Sequence, residues 1–231
     1  DRWWEAMKTE ITSLLEHKTW TLVDSSQVPN HRKVTKSRWC YTIKLNRDGS
    51  IERFKARFVV CGYSQVKGED YTHAFSATLR ATSFRLLMAI AAGEKLKLEH
   101  FDVKNAFTQS EIDSEIYTLP PKGFETKGKD GLPQVLKLVK SLYGTKQASR
   151  LWQLKLRDTL VNKMGFSNSL ADPCLYCKRD SKGGVTIIGV YVDDIILAHK
   201  GVDLNDFIKD FTGPNGFNAK YLGKLNWFLG M

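Results

Sequence analysis

The chain has 231 residues, 42% of them hydrophobic, which is enough to bury a sizeable core in one large domain or two closely associated subdomains. It contains no apolar run of about 18 residues, so it predicts no transmembrane helix, and its first residues predict no signal peptide. The formal net charge is +10, and the segment from His31 to Lys67 holds ten Lys or Arg and two Asp or Glu residues, a net +8. This concentration of positive charge indicates a polyanionic partner, nucleic acid or nucleotide phosphates, with a solvated basic face as the alternative.

The N-terminal third predicts a helix followed by a basic hairpin. Apolar residues recur at helical spacing up to Leu15, with Asp1 as a candidate N-cap, and a short strand is expected at residues 20–23. Residues 38–45 and 53–60 alternate in polarity around an Asp-Gly turn, which predicts a β-hairpin. Period-two spacing places Arg53, Lys55 and Arg57 on one face, opposite an apolar row that we expect to be half buried.

The rest of the chain mixes helices and strands without regular βαβ units, which favours an α+β domain with an antiparallel sheet. Helices are predicted at residues 83–92, 147–164 and 203–211, strands at 96–103, 135–139, 185–191 and 195–198, and a turn-rich segment at 176–184.

Two adjacent carboxylates, Asp193 and Asp194, separate two apolar, mostly β-branched runs of strand length. An acidic pair is costly to bury inside a strand, so a tight hairpin that lifts both side chains to the end of the sheet is expected. A divalent cation would neutralise them there, although Asp-Asp in an ordinary surface turn is the alternative. A secure metal pair needs a third carboxylate, and Asp102, at the end of a hydrophobic strand, is the candidate.

Six ordered blocks of the sequence resemble the reverse transcriptase domain of copia-type LTR retrotransposons, part of a Gag-Pol-type polyprotein. The blocks cover essentially the whole chain: Trp4–Met7 with Thr19–Trp20, Asp48–Gln65, Phe101–Phe107, Lys140–Ala148, Tyr191–Asp194 and Phe228–Met231.

The resemblance implies a role for individual residues. Asp102, Asp193 and Asp194 match the catalytic aspartates, which would bind two Mg²⁺ ions, with Mn²⁺ as a substitute. Lys220 falls near a lysine proposed in polymerases to protonate pyrophosphate. The implied nucleotide-binding residues are Lys55, Arg57, Phe107, Tyr143, Gly144 and Lys146. The implied primer-grip residues are Phe228, Leu229, Gly230 and Met231.

The resemblance also implies a right-hand polymerase fold with fingers and palm. It predicts mostly fingers in residues 1–95, palm in 96–120, fingers and palm in 121–148, and palm in 149–231, with the thumb missing and the chain ending inside the primer-grip hairpin. The implied partners are an RNA or DNA template with its primer, deoxynucleoside triphosphates, and the thumb, RNase H and integrase domains of a parent polyprotein. The expected location is intracellular, without a membrane, and a cytoplasmic virus-like particle if the parent element is active.

Two other functions stay open at this point. Ser149 and Ala77 stand where the family usually has proline, so the chain could be a diverged nucleic-acid-binding remnant without turnover. A two-metal nuclease would use the same carboxylates but lacks an obvious general base near Asp102, and the basic hairpin fits a triphosphate better.

Overall fold

The computed structural model describes residues 1–46, 48–214 and 216–228, and the chain divides into two units. The first unit comprises Asp1–Phe75 and Phe107–Leu151, and the second comprises Ser76–Ala106 and Trp152–Met231. The chain therefore changes unit near residues 75, 106 and 151, and the fingers and palm boundaries near 95, 120 and 148 stay a prediction. In chain order the helices and strands are α1 (Arg2–Glu16), β1 (Trp20–Asp24), β2 (Val34–Thr35), β3 (Ser37–Leu45), β4 (Ile51–Val60), α2 (Ala81–Gly93), β5 (Lys97–Val103), β6 (Tyr117–Thr118), β7 (Gln134–Leu138), α3 (Ala148–Asp158), β8 (Ser167–Asn168), β9 (Leu175–Arg179), β10 (Val185–Tyr191), β11 (Asp194–Lys200), α4 (Leu204–Thr212) and β12 (Ala219–Lys224).

In the first unit, helix α1 lies against the β3–β4 hairpin. Its N-cap is Asp1, whose carboxylate accepts the backbone N–H of Trp3 at 3.0 Å, as the sequence predicted. A four-stranded sheet in the order β1-β7-β6-β2 completes the unit. The two parts share a core of fully buried side chains, with Trp20 and Trp39 packed against it: Leu14, Phe58, Val60, Ile116, Leu136, Leu138 and Leu142.

The outer half of the hairpin differs from the sequence prediction. The register pairs Trp39 with Phe58 and Ile43 with Phe54, so the apolar row does share one face. However, Ile43, Leu45 and Ile51 are 45–58% exposed, because the core reaches only the inner half of the hairpin. The alternation predicted the strands and their faces, but burial was wrongly predicted for the outer half.

The second unit is built on a six-stranded sheet in the order β12-β5-β11-β10-β9-β8. All its pairings are antiparallel, as the sequence predicted. One face of the sheet packs through Phe101 on Phe207 and Phe211 of α4. Helix α2 packs closely against the other face, because a Cβ added to Gly189 would lie 3.2 Å from the Leu87 side chain. This layered sheet holds the strand ends that carry the carboxylates.

Two elements of the second unit depart from the sequence prediction. Residues 176–179, expected in a turn-rich segment, belong to strand β9, which pairs with β10. The helix expected to continue to Met164 is α-helical only to Asp158, and a π-helical turn follows at Thr159–Lys163. Apolar periodicity does not distinguish a π-helical turn from the α-helix before it, since both keep Leu160 buried.

Candidate active site

Asp193 and Asp194 lie at the tip of the β10–β11 hairpin, at the end of the second unit's sheet. Tyr191 pairs with Asp194, so Val192 and Asp193 form a two-residue turn. Val192 has φ 57°, in the left-handed region that a β-branched residue rarely adopts. Such strain persists only where the surrounding structure enforces it, and it is concentrated at functional sites.

Two hydrogen bonds enforce this turn. The buried Trp152 donates its indole Nε1–H to the carbonyl of Val192 at 2.7 Å, and it packs against Phe217. The backbone N–H of Val103 donates to the carbonyl of Asp193 at 2.8 Å, which joins the turn to the end of β5. The orientation of the turn is therefore set by a helix and a neighbouring strand of the same unit.

A row of charged side chains crosses the sheet beside this turn. Asp102 on β5 is paired directly with Asp194 on β11 on one side and with Lys220 on β12 on the other. Directly opposed residues of antiparallel strands project from the same face with Cβ atoms about 4.5–5.5 Å apart. The structure thus places Asp102 beside Asp194, and Lys220 beside Asp102.

His100 contacts the Asp194 carboxylate from the same face. It lies two residues before Asp102 on β5, and its Nε2 is 3.1 Å from Asp194 Oδ1. A carboxylate only accepts hydrogen bonds, so Nε2 is assigned as the donor. Both side chains are partly shielded from solvent, 15% exposed for His100 and 34% for Asp194.

The chemistry of these carboxylates fits a hard divalent cation. Oxygen ligands are what Mg²⁺ prefers, and two like charges placed directly opposite each other destabilise a sheet unless they are neutralised. Within residues 1–46, 48–214 and 216–228, however, no three His, Cys, Asp or Glu side chains converge closely enough to form a metal cage. The sheet therefore supplies an Asp102–Asp194 pair with Asp193 on the adjoining turn.

In the first unit, three of the predicted nucleotide-binding side chains form one cluster. The Arg57 guanidinium carbon lies 5.2 Å from the centroid of the Tyr143 ring. The Phe107 ring meets the Tyr143 ring edge-on, with centroids 4.9 Å apart. The Nε of Arg57 is buried and has no hydrogen-bond partner among the described residues. A buried cationic donor without an acceptor is costly, so this cluster is suited to an anionic ligand.

Lys55 lies on the same row of β4 as Arg57. Burial lowers the pKa of Lys55, and the positive charges of Arg57, Arg53 and Lys44 lower it further. Burial also raises the pKa of Glu10, whose carboxylate accepts the backbone N–H of Phe58. The basic row is thus crowded and partly desolvated at its inner end, where an added anion would be favourable.

Gly144 and Lys146 lie on a turn that is fixed to the loop after β4. Gly144 has φ 91°, and a Cβ there would collide with the carbonyl oxygen of Val60, so the position requires glycine. The backbone N–H of Lys146 donates to Gln65 Oε1 at 2.7 Å, and Gln65 Nε2 donates to Gln147 Oε1 at 3.2 Å. Held in this way, the turn leaves the Lys146 side chain at the surface.

Of the four predicted primer-grip residues, only Phe228 lies within the described residues; Leu229, Gly230 and Met231 lie outside them. The Phe228 side chain is 2% exposed. It stacks on Phe84 at 5.4 Å and meets the His100 ring at 5.9 Å. In this structure Phe228 is therefore a core residue beneath the carboxylate row.

Sequence reasoning did not single out His100 or Trp152 as functional residues. Period-two spacing from Asp102 could have placed His100 on the carboxylate face, but the diagonal contact with Asp194 depends on the strand register. Trp152 was predicted to face inward, and nothing in its spacing indicated a hydrogen bond to a turn 40 residues later.

A sequence profile described as "Reverse transcriptase (RNA-dependent DNA polymerase)" matches residues 17–231. The chain belongs to this reverse transcriptase family. It is 37% identical over 227 residues to the "Retrovirus-related Pol polyprotein from transposon TNT 1-94" of Nicotiana tabacum, with 98% of the chain and 17% of that protein covered. It is also 37% identical over 231 residues to the Pol polyprotein from transposon RE1 of Arabidopsis thaliana, with 100% of the chain and 15% of that protein covered.

The chain thus spans about a sixth of the length of these reverse transcriptase relatives. Among solved structures it is similar to a foamy viral protease-reverse transcriptase in complex with double-stranded DNA, at TM-score 0.43 and 16% identity, with 98% of this chain and 33% of that chain covered. Within its described part, this member of the reverse transcriptase family has no helix with the length and apolar character needed to cross a membrane.

Proposed function

We propose that this chain is an RNA-directed DNA polymerase domain that adds deoxynucleotides to a primer 3′-hydroxyl by two-metal phosphoryl transfer. The observation that carries the proposal is the direct pairing of Asp102 with Asp194, beside a strained turn that presents Asp193. Membership of the reverse transcriptase family supports it. The curated relatives are Pol polyproteins, so further domains such as thumb, RNase H and integrase are proposed partners in a longer parent protein.

The residues that would hold the metal ions are Asp102, Asp193 and Asp194. Bound there, Mg²⁺ or Mn²⁺ would activate the attacking hydroxyl and stabilise charge on the transferred phosphate. The protein's own contribution is orientation: the hairpin tip presents two carboxylates, and β5 supplies the third from the adjacent strand. Trp152 keeps the turn in its left-handed conformation, so these oxygens need little reorganisation before reaction.

The incoming deoxynucleoside triphosphate would be bound by the basic row of the first unit. Arg57 has a buried Nε without a partner, and a phosphate oxygen would supply its acceptor in a strong, charge-assisted hydrogen bond. The Tyr143 ring lies against the guanidinium and meets the Phe107 ring edge-on, while Lys55 and Lys146 add positive charge. In this proposal the Phe107 ring lies against the sugar and excludes a 2′-hydroxyl by steric contact.

We assign the first unit to the fingers and the second to the palm of a right-hand polymerase. The concentration of positive charge in the first unit and the position of the three aspartates in the second unit support this division. The partner of both is a template with its primer, whose phosphates the basic segment would attract.

Primer extension with Mg²⁺, by the protein that carries this sequence, tests the proposal. Asp102→Asn and Asp193→Asn should each abolish extension while circular dichroism shows an intact fold. Asp210→Asn is the matched control, because Asp210 is an exposed aspartate of the same unit on α4, and its extension should equal that of wild type. Extension by an Asp193→Asn variant at the wild-type rate would refute the mechanism.

A second candidate function is nucleic-acid binding without turnover. It is favoured by one observation, that no three ligating side chains are gathered into a metal cage in the described residues. Template-primer binding by a wild-type protein that extends no primer at any Mg²⁺ or Mn²⁺ concentration would establish this alternative.

A further inference from the structure

We infer that His100 is a positioning residue for the metal-binding carboxylates, and that Phe228 holds its ring in place. His100 would fix one oxygen of Asp194 and leave the other directed to a divalent cation beside Asp102. The inference rests on the proposed function, since it concerns how these carboxylates bind a metal ion.

His100 lies on β5, between β11 and β12. Its directly paired neighbours are Ile196 on β11 and Gly223 on β12, so it reaches Asp194 along the diagonal. At 3.1 Å the Nε2–H···Oδ1 contact is within hydrogen-bond range. The hydrogen bond uses one carboxylate oxygen, and the second oxygen stays available on the face shared with Asp102.

Packing, as well as its hydrogen bond, restrains the imidazole. Phe228 meets the His100 ring edge-on, with centroids 5.9 Å apart and planes at 74°. Phe228 is itself held by stacking on Phe84 of α2 at 5.4 Å. The ring of His100 is thus held by packing on one side and by the carboxylate on the other.

The hydrogen bond from His100 restricts the orientation of the Asp194 carboxylate. Without a donor on Oδ1, the Asp194 carboxylate can turn about its last torsion, and repulsion from Asp102 favours turning away. A hydrogen bond to a ligating carboxylate removes that freedom before the metal binds. Loss of such outer partners typically lowers metal affinity or activity about 10- to 100-fold.

Variants separate this role from simple packing. His100→Gln keeps an N–H donor of similar reach, whereas His100→Leu keeps bulk without a donor. Phe228→Ala leaves the donor but removes the packing that orients it. His199→Leu is the matched control: it replaces a second buried histidine on the same sheet, which is 4% exposed and whose ring nitrogens hydrogen-bond to no described residue.

The readouts are the Mn²⁺ dissociation constant, measured by electron paramagnetic resonance, and the Mg²⁺ concentration that gives half-maximal primer extension. His100→Leu should raise both about 10- to 100-fold. Both values should stay close to wild type in His100→Gln, and in Phe228→Ala they should lie between those of His100→Gln and His100→Leu. His199→Leu should change thermal stability alone.

If His100→Leu keeps the wild-type Mn²⁺ affinity while Asp194→Asn loses it, the inference is overturned and the proposed function stands. Equal losses in His100→Gln and His100→Leu would also overturn it, because a donor would then be irrelevant. Mn²⁺ binding that Asp102→Asn and Asp194→Asn leave unchanged would instead overturn the proposed function, and this inference with it.

Discussion

The pairing of Asp102 with Asp194 predicts that Asp102→Asn, which the proposed function expects to abolish primer extension, also stabilises the fold. Asp102 and Asp194 are directly opposed on adjacent strands, and like charges in that position repel each other. Asp102→Asn keeps the size and hydrogen-bonding capacity of the side chain while removing one charge. In metal-free buffer we therefore expect a higher melting temperature for Asp102→Asn than for wild type.

The magnitude follows from the strand geometry. Two unit charges about 5 Å apart repel by about 0.8 kcal/mol in water and about 3 kcal/mol at an effective dielectric constant of 20. Since Asp194 is 34% exposed, the lower part of this range applies. Loss of the attraction to the exposed Lys220 offsets at most about 1 kcal/mol. A net gain of about 1 kcal/mol corresponds to about 2–4 °C in a chain of this size.

The assay is thermal unfolding with and without Mg²⁺. A metal that binds only the folded state stabilises it by about 1.4 kcal/mol for each tenfold rise in concentration above its dissociation constant. Wild type and the Asp210→Asn control should therefore melt higher in Mg²⁺, while Asp102→Asn should respond weakly. Asp102→Asn should therefore have the higher melting temperature without Mg²⁺, and wild type should have the higher one at high Mg²⁺ concentration.

Two outcomes would refute this reasoning. A lower melting temperature for Asp102→Asn in metal-free buffer would mean that the carboxylate stabilises the sheet through a contact that outweighs repulsion. An identical Mg²⁺ response in Asp102→Asn and wild type would mean that the metal binds elsewhere.

Four further predictions concern other contacts. Arg57→Ala should raise KM for the deoxynucleotide about 10- to 100-fold while template-primer affinity stays near wild type, because a charge-assisted hydrogen bond is lost; equal loss of both would indicate a general backbone contact. Trp152→Phe should lower the free energy of unfolding by about 0.5–1.5 kcal/mol and reduce kcat, since the Val192 carbonyl loses its hydrogen-bond donor. An unchanged kcat would show that the turn keeps its conformation without this hydrogen bond. Phe107→Val should increase ribonucleotide over deoxynucleotide incorporation by about tenfold, about 1.4 kcal/mol, in single-nucleotide kinetics; a parallel decline of both substrates would make Phe107 a packing residue. The hydrogen bond to Glu99, with burial, raises the pKa of Tyr221 to about 12, so the folded state keeps a proton that the unfolded chain loses above about pH 10. The stability difference between wild type and Tyr221→Phe should therefore be full below pH 10 and shrink as the pH rises toward 12 in urea unfolding, and a constant difference would exclude this linkage.

The second unit also contains a buried polar group that sequence reasoning did not anticipate. The Tyr221 hydroxyl donates to Glu99 Oε2 at 2.6 Å. Nearby, His199 lies 3.8 Å from Glu99 Oε1, too far for a hydrogen bond, and burial lowers the pKa of His199. These groups face away from the carboxylate row, on the side covered by α4. Their substitution should affect stability more than chemistry.

Local patterns in the sequence determined much of the secondary structure. The alternation in residues 38–45 and 53–60 predicted β3, β4 and their faces, because a strand's side chains alternate whatever the tertiary context. The helical spacing after Asp1 predicted α1 and its cap. The acidic pair between two apolar runs predicted a hairpin with both carboxylates at its tip, since burial inside a strand would be too costly. Each of these predictions depends on neighbours within a few residues.

Contacts between distant segments were decided by the tertiary structure alone. Strand register placed Asp102 opposite Asp194, brought His100 to its carboxylate and buried Phe228 against His100, and no local pattern specifies register between strands 90 residues apart. The extent of the core decided that Leu45 is exposed although its alternation matches that of buried residues. The sequence thus determined which groups could do the chemistry, and the packing of strands and helices determined which of them meet, because side-chain proximity depends on the whole sheet.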